Sequence, residues 1–439
     1  MTTTLLALLQ KVSENLGDYE SGTFTTSSAS VPADTAQAHR VDDTFNERWL
    51  MPTAGTYVKV ESLLQDFTKT GGVFTPYTAF AGATGTVAYI VSRHKPSDMI
   101  SFINRAVADV YPTLWVPHID EFSLITNNIL PNSAFQDWAS SSVPDKWDIS
   151  VGLLVAAKYT TAATQLIREG TSSMKLSGGN TQYLSCRTWD NRYLNDLSGK
   201  TVTFKVWAWY SAASALRIAC YTGSSASYSS YHSGDSNWHL LSKSADFLAD
   251  PTTNPQFWIE HTAVDSFYSY ISSARVIGQT VQRYLLPTSF KELQQVWIQT
   301  AGNVSFSADS GLAMCDSIHE GTAFEKLFNW RVEPDGTDKW LIFPYSLPDE
   351  RRLKLVGSKY GSSMTALTDT VEFNSPQTNM IAALAAYYVA DAESKVVEGA
   401  DNSAKYREIA DRNYDDYLKL KNQHSTIPMP ATSIRYAEW

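Results

Sequence analysis

Leu5, Leu8, Leu9, Val12 and Leu16 recur three and four residues apart behind the hydroxyl run Thr2-Thr3-Thr4, and Gly17 stands where the pattern stops. Residues 4–16 are therefore predicted to form a short amphipathic helix. Pro96-Ser97-Asp98 opens a stronger one, with Met99, Ile103, Ala106, Val107 and Val110 on one face until Pro112 ends it. Between these helices, residues 21–34 have loop composition, and residues 48–64 and 86–92 supply short strand-like patches. The clearest alternation lies at 201–210, where Val202, Phe204, Val206 and Ala208 interleave with Thr203, Lys205, Trp207 and Trp209. A strand of that pattern has one apolar face and one carrying aromatic and polar groups.

Further on, Glu333-Pro334-Asp335-Gly336-Thr337 reads as a hairpin turn between strands at 324–332 and 340–343, with a third strand at 353–356. After Pro376 the period becomes helical. Met380, Ile381, Leu384, Tyr387 and Tyr388 mark one helix, Gly399 breaks it, and Tyr406, Ile409, Ala410, Tyr414 and Tyr417 mark a second, which predicts a helical hairpin. Residues 426–439 contain Pro428 and Pro430 and show no period. Their apolar Ile427, Met429, Ile434, Tyr436 and Trp439 need a partner surface, so the segment is expected to be an extended docking arm.

Composition sharpens the middle of this picture. Residues 127–280 are rich in Ser, Thr, Gly, Trp and Tyr, with turn clusters at Ser177-Gly178-Gly179-Asn180 and Ser233-Gly234-Asp235. Eleven basic and eleven acidic side chains leave this stretch neutral, so the formal net charge of -10 belongs to the flanks. A separate all-β sandwich is the economical reading. The 439 residues amount to about three domains, and 43% hydrophobic content suffices for their cores. The acidic balance disfavours a protein that grips a phosphate backbone. Cys186, Cys220 and Cys315 are an odd set, which rules out a disulfide framework and suits synthesis in a reducing cytosol. The first ten residues lack a basic region, and Lys11, Ser13 and Glu14 interrupt them, so neither a signal peptide nor a membrane anchor is expected. With 13 Trp and 23 Tyr, the bulk chemistry points to assembly or binding.

Candidate chemistry is sparse. Trp207 and Trp209 share a strand face with Thr203 and Lys205 and offer a flat apolar platform for a pyranose ring, the alternative being packing inside the sandwich. Trp238, Phe247 and Trp258 are expected in the core. The neighbouring carboxylates Asp42-Asp43, Asp349-Glu350 and Asp415-Asp416 point in different directions and make no hydrolase pair. The eight histidines show neither H-E-x-x-H nor a Cys/His ligand spacing, so no metal is expected. Gly71, Gly72, Gly82 and Gly85 crowd one region without a phosphate-loop motif, and residues 224–233 read as an exposed Ser/Tyr-rich loop. No enzymatic activity and no cofactor are expected.

The outer segments resemble head-to-tail connector, or neck adaptor, proteins of tailed bacteriophages. The matching pieces are the first helix, KPSDMISFINRAVADVYP, RRLKLVGSKYGSSMTALTDTVEF running into NMIAALAAYYVADAES, and AKYREIADRNYDDYLKL. This resemblance implies a virion protein of the neck, between capsid and tail, assembled in the host cytoplasm. It implies a twelvefold homo-oligomeric ring contacting the portal protein and tail or neck proteins, with no membrane contact. DNA would pass through its channel without specific binding, and acidic walls suit sliding. Ile427, Met429, Ile434, Tyr436 and Trp439 match the arm that docks into the portal.

The middle resembles galactose-binding-like, jelly-roll carbohydrate-binding modules, through NNILPNSAFQDWASSSVPDKWDIS, LSGKTVTFKVWAWYSA, NWHLLSKSADF and DSFYSYISSARVIG. It implies a module inserted between Glu121 and Val281, with Trp207 and Trp209 as the candidate glycan contacts and Asp265 as a candidate structural-calcium ligand. The expected fold class is α+β and multidomain. A mainly helical adaptor body with β-hairpins, at 1–126 and 281–425, is interrupted by an antiparallel β-sandwich at 127–280 and followed by the arm at 426–439. The expected function is a structural head-to-tail adaptor ring; the alternative is a carbohydrate-binding adhesin or glycoside-acting virion protein centred on the sandwich.

Overall fold

A computed structural model describes the chain except residues 1–2, 27, 83–84, 150–153, 162–164, 179–181, 188–196, 252, 263–267, 301–323, 397–399 and 425–439; for 182–187, 400 and 401 it describes the backbone alone. Among the described residues it holds 24 strands and four α-helices: α1 (Leu5–Asn15), α2 (Pro96–Asp109), α3 (Ser375–Val396) and α4 (Ala400–His424). Among the described residues, no helix is long and apolar enough to cross a membrane. The described residues divide into two compact units, one formed by those up to Val116 with those of 360–424, the other by those of 117–359.

In the first unit the helices follow the sequence pattern closely. Thr4 caps α1 by accepting a hydrogen bond from Ala7 N–H at 3.2 Å, and Gly17 leaves the helix in the left-handed region at φ 72°. Leu5, Leu8, Leu9 and Val12 of α1 join Met99, Ile103, Ala106 and Val107 of α2 in one buried cluster, with the alanine-rich α3 at its centre. A two-stranded ladder in which Thr3 pairs with Val371 ties the segment before α1 to the segment before α3. A five-stranded antiparallel sheet, in the order Glu20–Thr23, Ala88–Ser92, Trp49–Pro52, Ser62–Thr68, Val73–Pro76, covers a second cluster around Phe24, Phe67, Phe74 and Tyr89.

The second unit is built from strands. One five-stranded sheet runs in the order Trp238–Asp246, Thr201–Trp209, Ser269–Ile277, Ser173–Ser177, Val155–Tyr159; the other runs Ala226–Tyr228, Leu216–Tyr221, Gln256–His261, Gln182–Arg187, Asp148–Ile149. Phe204 of the first meets Phe257 of the second, ring centroids 5.2 Å apart, in the core between them. That core is continuous with Val296, Leu353 and Leu355 from a four-stranded sheet, and with Tyr284 and Leu341 from a three-stranded one. The unit therefore extends beyond 127–280. Asn127 and Asn128 stitch its parts together: the Asn127 amide donates to Leu347 O at 2.8 Å and accepts from Val281 N–H at 2.9 Å, and Asn128 accepts from Val276 N–H at 2.9 Å.

The expected fold class, a mainly helical body interrupted by a sandwich, is corrected: the molecule is mostly β-sheet. The described residues between 281 and 359 contribute strands, including Glu292–Gln299 and Arg352–Lys359, and residues 20–92 build the five-stranded sheet of the first unit. The physical reason is period. Val296 with Ile298 and Leu353 with Leu355 bury one face of short two-residue repeats, which suits a ladder rather than a helix.

Candidate functional site

The strand Thr201–Trp209 alternates as its sequence predicts, with Val202, Phe204, Val206 and Ala208 buried and Thr203, Lys205, Trp207 and Trp209 half-buried on the outer face. That face is covered. The Arg168 guanidinium lies 3.5 Å from the centre of the Trp207 ring. Trp209 meets Tyr270 in a T-shaped pair, centroids 5.5 Å apart at 72°, and donates its indole N–H to Ser236 O at 2.7 Å. The segment around Arg168 is held down by the Trp238 indole N–H on Gln165 O at 2.7 Å and by Glu169 N–H on Ser272 Oγ at 2.9 Å. A charge network completes the cover: Glu169 binds Arg275 at 3.2 Å and Arg352 at 3.6 Å, and Glu350 binds Lys205 at 3.2 Å.

The opposite outer face carries a different set. In the strands Leu216–Tyr221 and Gln256–His261, the residues Leu216, Ile218, Cys220, Phe257 and Ile259 point into the core, which turns Arg217, Ala219, Tyr221, Gln256, Trp258 and Glu260 outward. Tyr221 and Trp258 stack in parallel, centroids 5.1 Å apart at 12°. The Trp258 indole N–H donates to Gln256 Oε1 at 2.8 Å, and the Tyr221 hydroxyl lies 2.9 Å from Thr253 Oγ1. Beside this stack, Arg217 Nε–H donates to Glu260 Oε1 at 2.7 Å, the carboxylate being buried. The guanidinium is also 3.9 Å from the centre of the Tyr228 ring and 4.6 Å from that of Tyr231, both rings more than a third exposed at 37% and 39%. Desolvation opposes the charge on Arg217, but the hydrogen bond and charge of Glu260 hold its pKa above the ordinary value. Strand register puts the small Ala219 between Tyr228 on one side and Trp258 on the other, so the rings close over it.

This arrangement joins broad aromatic faces to a fixed guanidinium, a carboxylate and an amide. Such a surface stacks against the C–H face of a flat ligand and hydrogen-bonds the groups at its rim. Cys220, beneath it in the core, has its thiol pushed up to about 12 by burial and supplies no nucleophile.

Of the residues expected from sequence, Trp207 and Trp209 lie together on the covered face. Phe247 is in the core as expected, but Trp238 and Trp258 are not; both stand half-buried on outer faces. Ile427, Met429, Ile434, Tyr436, Trp439 and Asp265 lie outside the described residues. Residues 224–233, read as an exposed loop, hold the strand Ala226–Tyr228, the buried His232 and the two tyrosines that flank Arg217. The signal that would have found Trp258 is the alternation Gln256, Phe257, Trp258, Ile259, Glu260, which puts the indole opposite two core residues.

No protein-family model matches the chain, and no curated protein does. Among solved structures it is similar to the carbohydrate-binding module TmCBM61, whose structure is in complex with β-1,4-galactotriose, at 11% identity and TM-score 0.25, covering 35% of this chain and 99% of that one. It is similar to the family 22 carbohydrate-binding module of Clostridium thermocellum Xyn10B at 14% identity and TM-score 0.25, covering 37% of this chain and 97% of that one. It is also similar to the enzymatically active domain of tailspike protein 4 of bacteriophage CBA120, at 8% identity and TM-score 0.26, covering 34% of this chain and 21% of that one.

Proposed function

We propose that the protein is a carbohydrate-binding protein whose ligand lies on the outer face formed by Tyr221, Trp258, Arg217, Glu260 and Gln256. The observation that carries this reading is the Tyr221–Trp258 stack set beside the Arg217–Glu260 pair on one sheet face. Sugar rings present a C–H face and a rim of hydroxyls, and this surface meets both demands at once. The action is binding without turnover. Glycoside hydrolysis needs a proton-donating carboxyl opposite a second carboxylate, whereas Glu260 is engaged as acceptor by a guanidinium.

The setting belongs to the same proposal: a phage particle, supported by the likeness of the outer sequence segments to neck adaptors. A twelvefold ring and a portal partner are not carried over, because the segment expected to dock, 426–439, lies outside the described residues and the body is not the mainly helical one expected. A glycan array probed with the full chain tests the reading. Retention of a defined set of glycans, lost in Trp258→Ala and Arg217→Ala variants with unchanged circular dichroism, is the expected outcome. An array blank for the wild type, or a pattern that both variants keep, contradicts it.

A further inference from the structure

The loop joining the strands Ala226–Tyr228 and Trp238–Asp246 brings His232, Asp235 and His239 together, with one ligand atom of each within 4.8 Å of the others. The chain turns tightly enough for this because Gly234 and Ser236 both take left-handed backbone, at φ 76° and 58°. Gly234 is also required for space: a Cβ there would stand 2.2 Å from Ala213 N. His239 Nε2 lies 2.9 Å from both carboxylate oxygens of Asp235. His232 is buried, its ring 4.8 Å from that of His239 and nearly perpendicular to it at 89°.

The hydrogen bonds of His232 fix its tautomer. Nδ1 accepts from Gly234 N–H at 2.9 Å, so the proton sits on Nε2, which donates to Asn237 O at 3.1 Å. The imidazole is thus anchored through Nε2–H on a backbone carbonyl, the second-shell support that metal-ligating histidines use, while its Nδ1 lone pair is taken by Gly234 N–H.

We propose that His232 Nδ1, Asp235 and His239 Nε2 form a binding site for one divalent transition-metal ion of the zinc class. Two imidazoles and a carboxylate suit zinc, whereas calcium and magnesium take all-oxygen sets. Three protein ligands leave the fourth tetrahedral position to water. Ligands on a tetrahedral ion with bonds of about 2.1 Å stand about 3.4 Å apart. The present separations contract to that through Asp235, which is exposed, and His239, which is half-exposed, while Gly234 N–H gives up Nδ1 to the ion. The bound ion ties down the loop that carries Tyr231. The proposal stands on these three side chains and is independent of whether a glycan binds.

The test uses the full chain, stripped with EDTA, dialysed, and titrated with zinc chloride in a calorimeter and with cobalt(II) in a spectrophotometer. The expected result is one saturable equivalent, intense visible bands from tetrahedral cobalt, and at least about a tenfold loss of affinity in His239→Ala and in Asp235→Ala. Both substitutions fall on side chains outside the core, so unchanged circular dichroism separates lost ligation from lost folding. Absence of a saturable site, or wild-type affinity in both variants, overturns the proposal and leaves the three groups as a hydrogen-bonded loop closure only.

Discussion

The two outer faces of the sandwich share one core and nearly the same supply of aromatic residues, yet they are finished differently. Over Trp207 lies a guanidinium, and around it Glu169, Arg275, Arg352, Lys205 and Glu350 knit a charge network drawn from four separate parts of the chain. Among the described residues, Trp258 meets another ring in parallel contact, with the Arg217–Glu260 pair and two tyrosines more than a third exposed on the same face. An outward aromatic in a strand thus marks a face, and what decides whether that face is available is a covering segment remote in sequence. On the function proposed above, Trp207 and Trp209 serve packing beneath the ion pairs and Trp258 serves ligand contact.

That contrast yields graded expectations. Phe204 underlies both faces, so Phe204→Ala is expected to cost about 3–5 kcal/mol of stability and to disable both together, as urea unfolding would register. Trp258→Ala is expected to weaken glycan binding by roughly 2 kcal/mol while leaving the fold intact, and Trp207→Ala to lower the melting temperature with binding unchanged, in paired titration and melting experiments. Glu260→Gln keeps the shape but takes the charge from Arg217's buried partner, and is expected to cost about 1–3 kcal/mol in denaturant melts.

Asp137 supplies a comparison of another kind, in which burial acts on a carboxyl. Burial, and after it the charges of Asp120 and Asp145, push its carboxyl up to about 6. The folded state therefore holds that proton more tightly than the unfolded chain. The stability it provides is complete below the ordinary carboxyl range and is lost as pH rises through about 6. Asp137→Asn should accordingly raise the melting temperature more at pH values above about 7 than near pH 4, with glycan binding unaffected.

Much of the local structure was legible. The expected helix at 4–16 is Leu5–Asn15, the one opened by Pro96 runs to Asp109, and the turn at 333–337 closes a hairpin in which Asp335 pairs with Asp338. The strand at 201–210 is Thr201–Trp209 with the alternation intact. Less legible were the share of β-structure and the aromatic set on the Trp258 face. Short strands such as Glu20–Thr23 carry too few residues for a period to show, and their pairing with Ala88–Ser92 is settled by partners far along the chain. Trp258 was assigned to the core by residue type alone, although its neighbours Phe257 and Ile259 already claimed the inner side. The alternation at 201–210 puts Trp207 opposite the aliphatic row, but Arg168, which lies over it, is nearly forty residues upstream in a stretch without a pattern.

Calorimetric titration of the wild-type chain, Trp258→Ala and Trp207→Ala with a single glycan retained on the array puts the assignment of the ligand to one face at risk in one experiment. Affinity lower by about tenfold or more in Trp258→Ala, beside wild-type affinity in Trp207→Ala, is the result this structure predicts. The reverse pattern, with Trp207→Ala losing the glycan and Trp258→Ala keeping it, would contradict the assignment and move the ligand to the face that Arg168 covers.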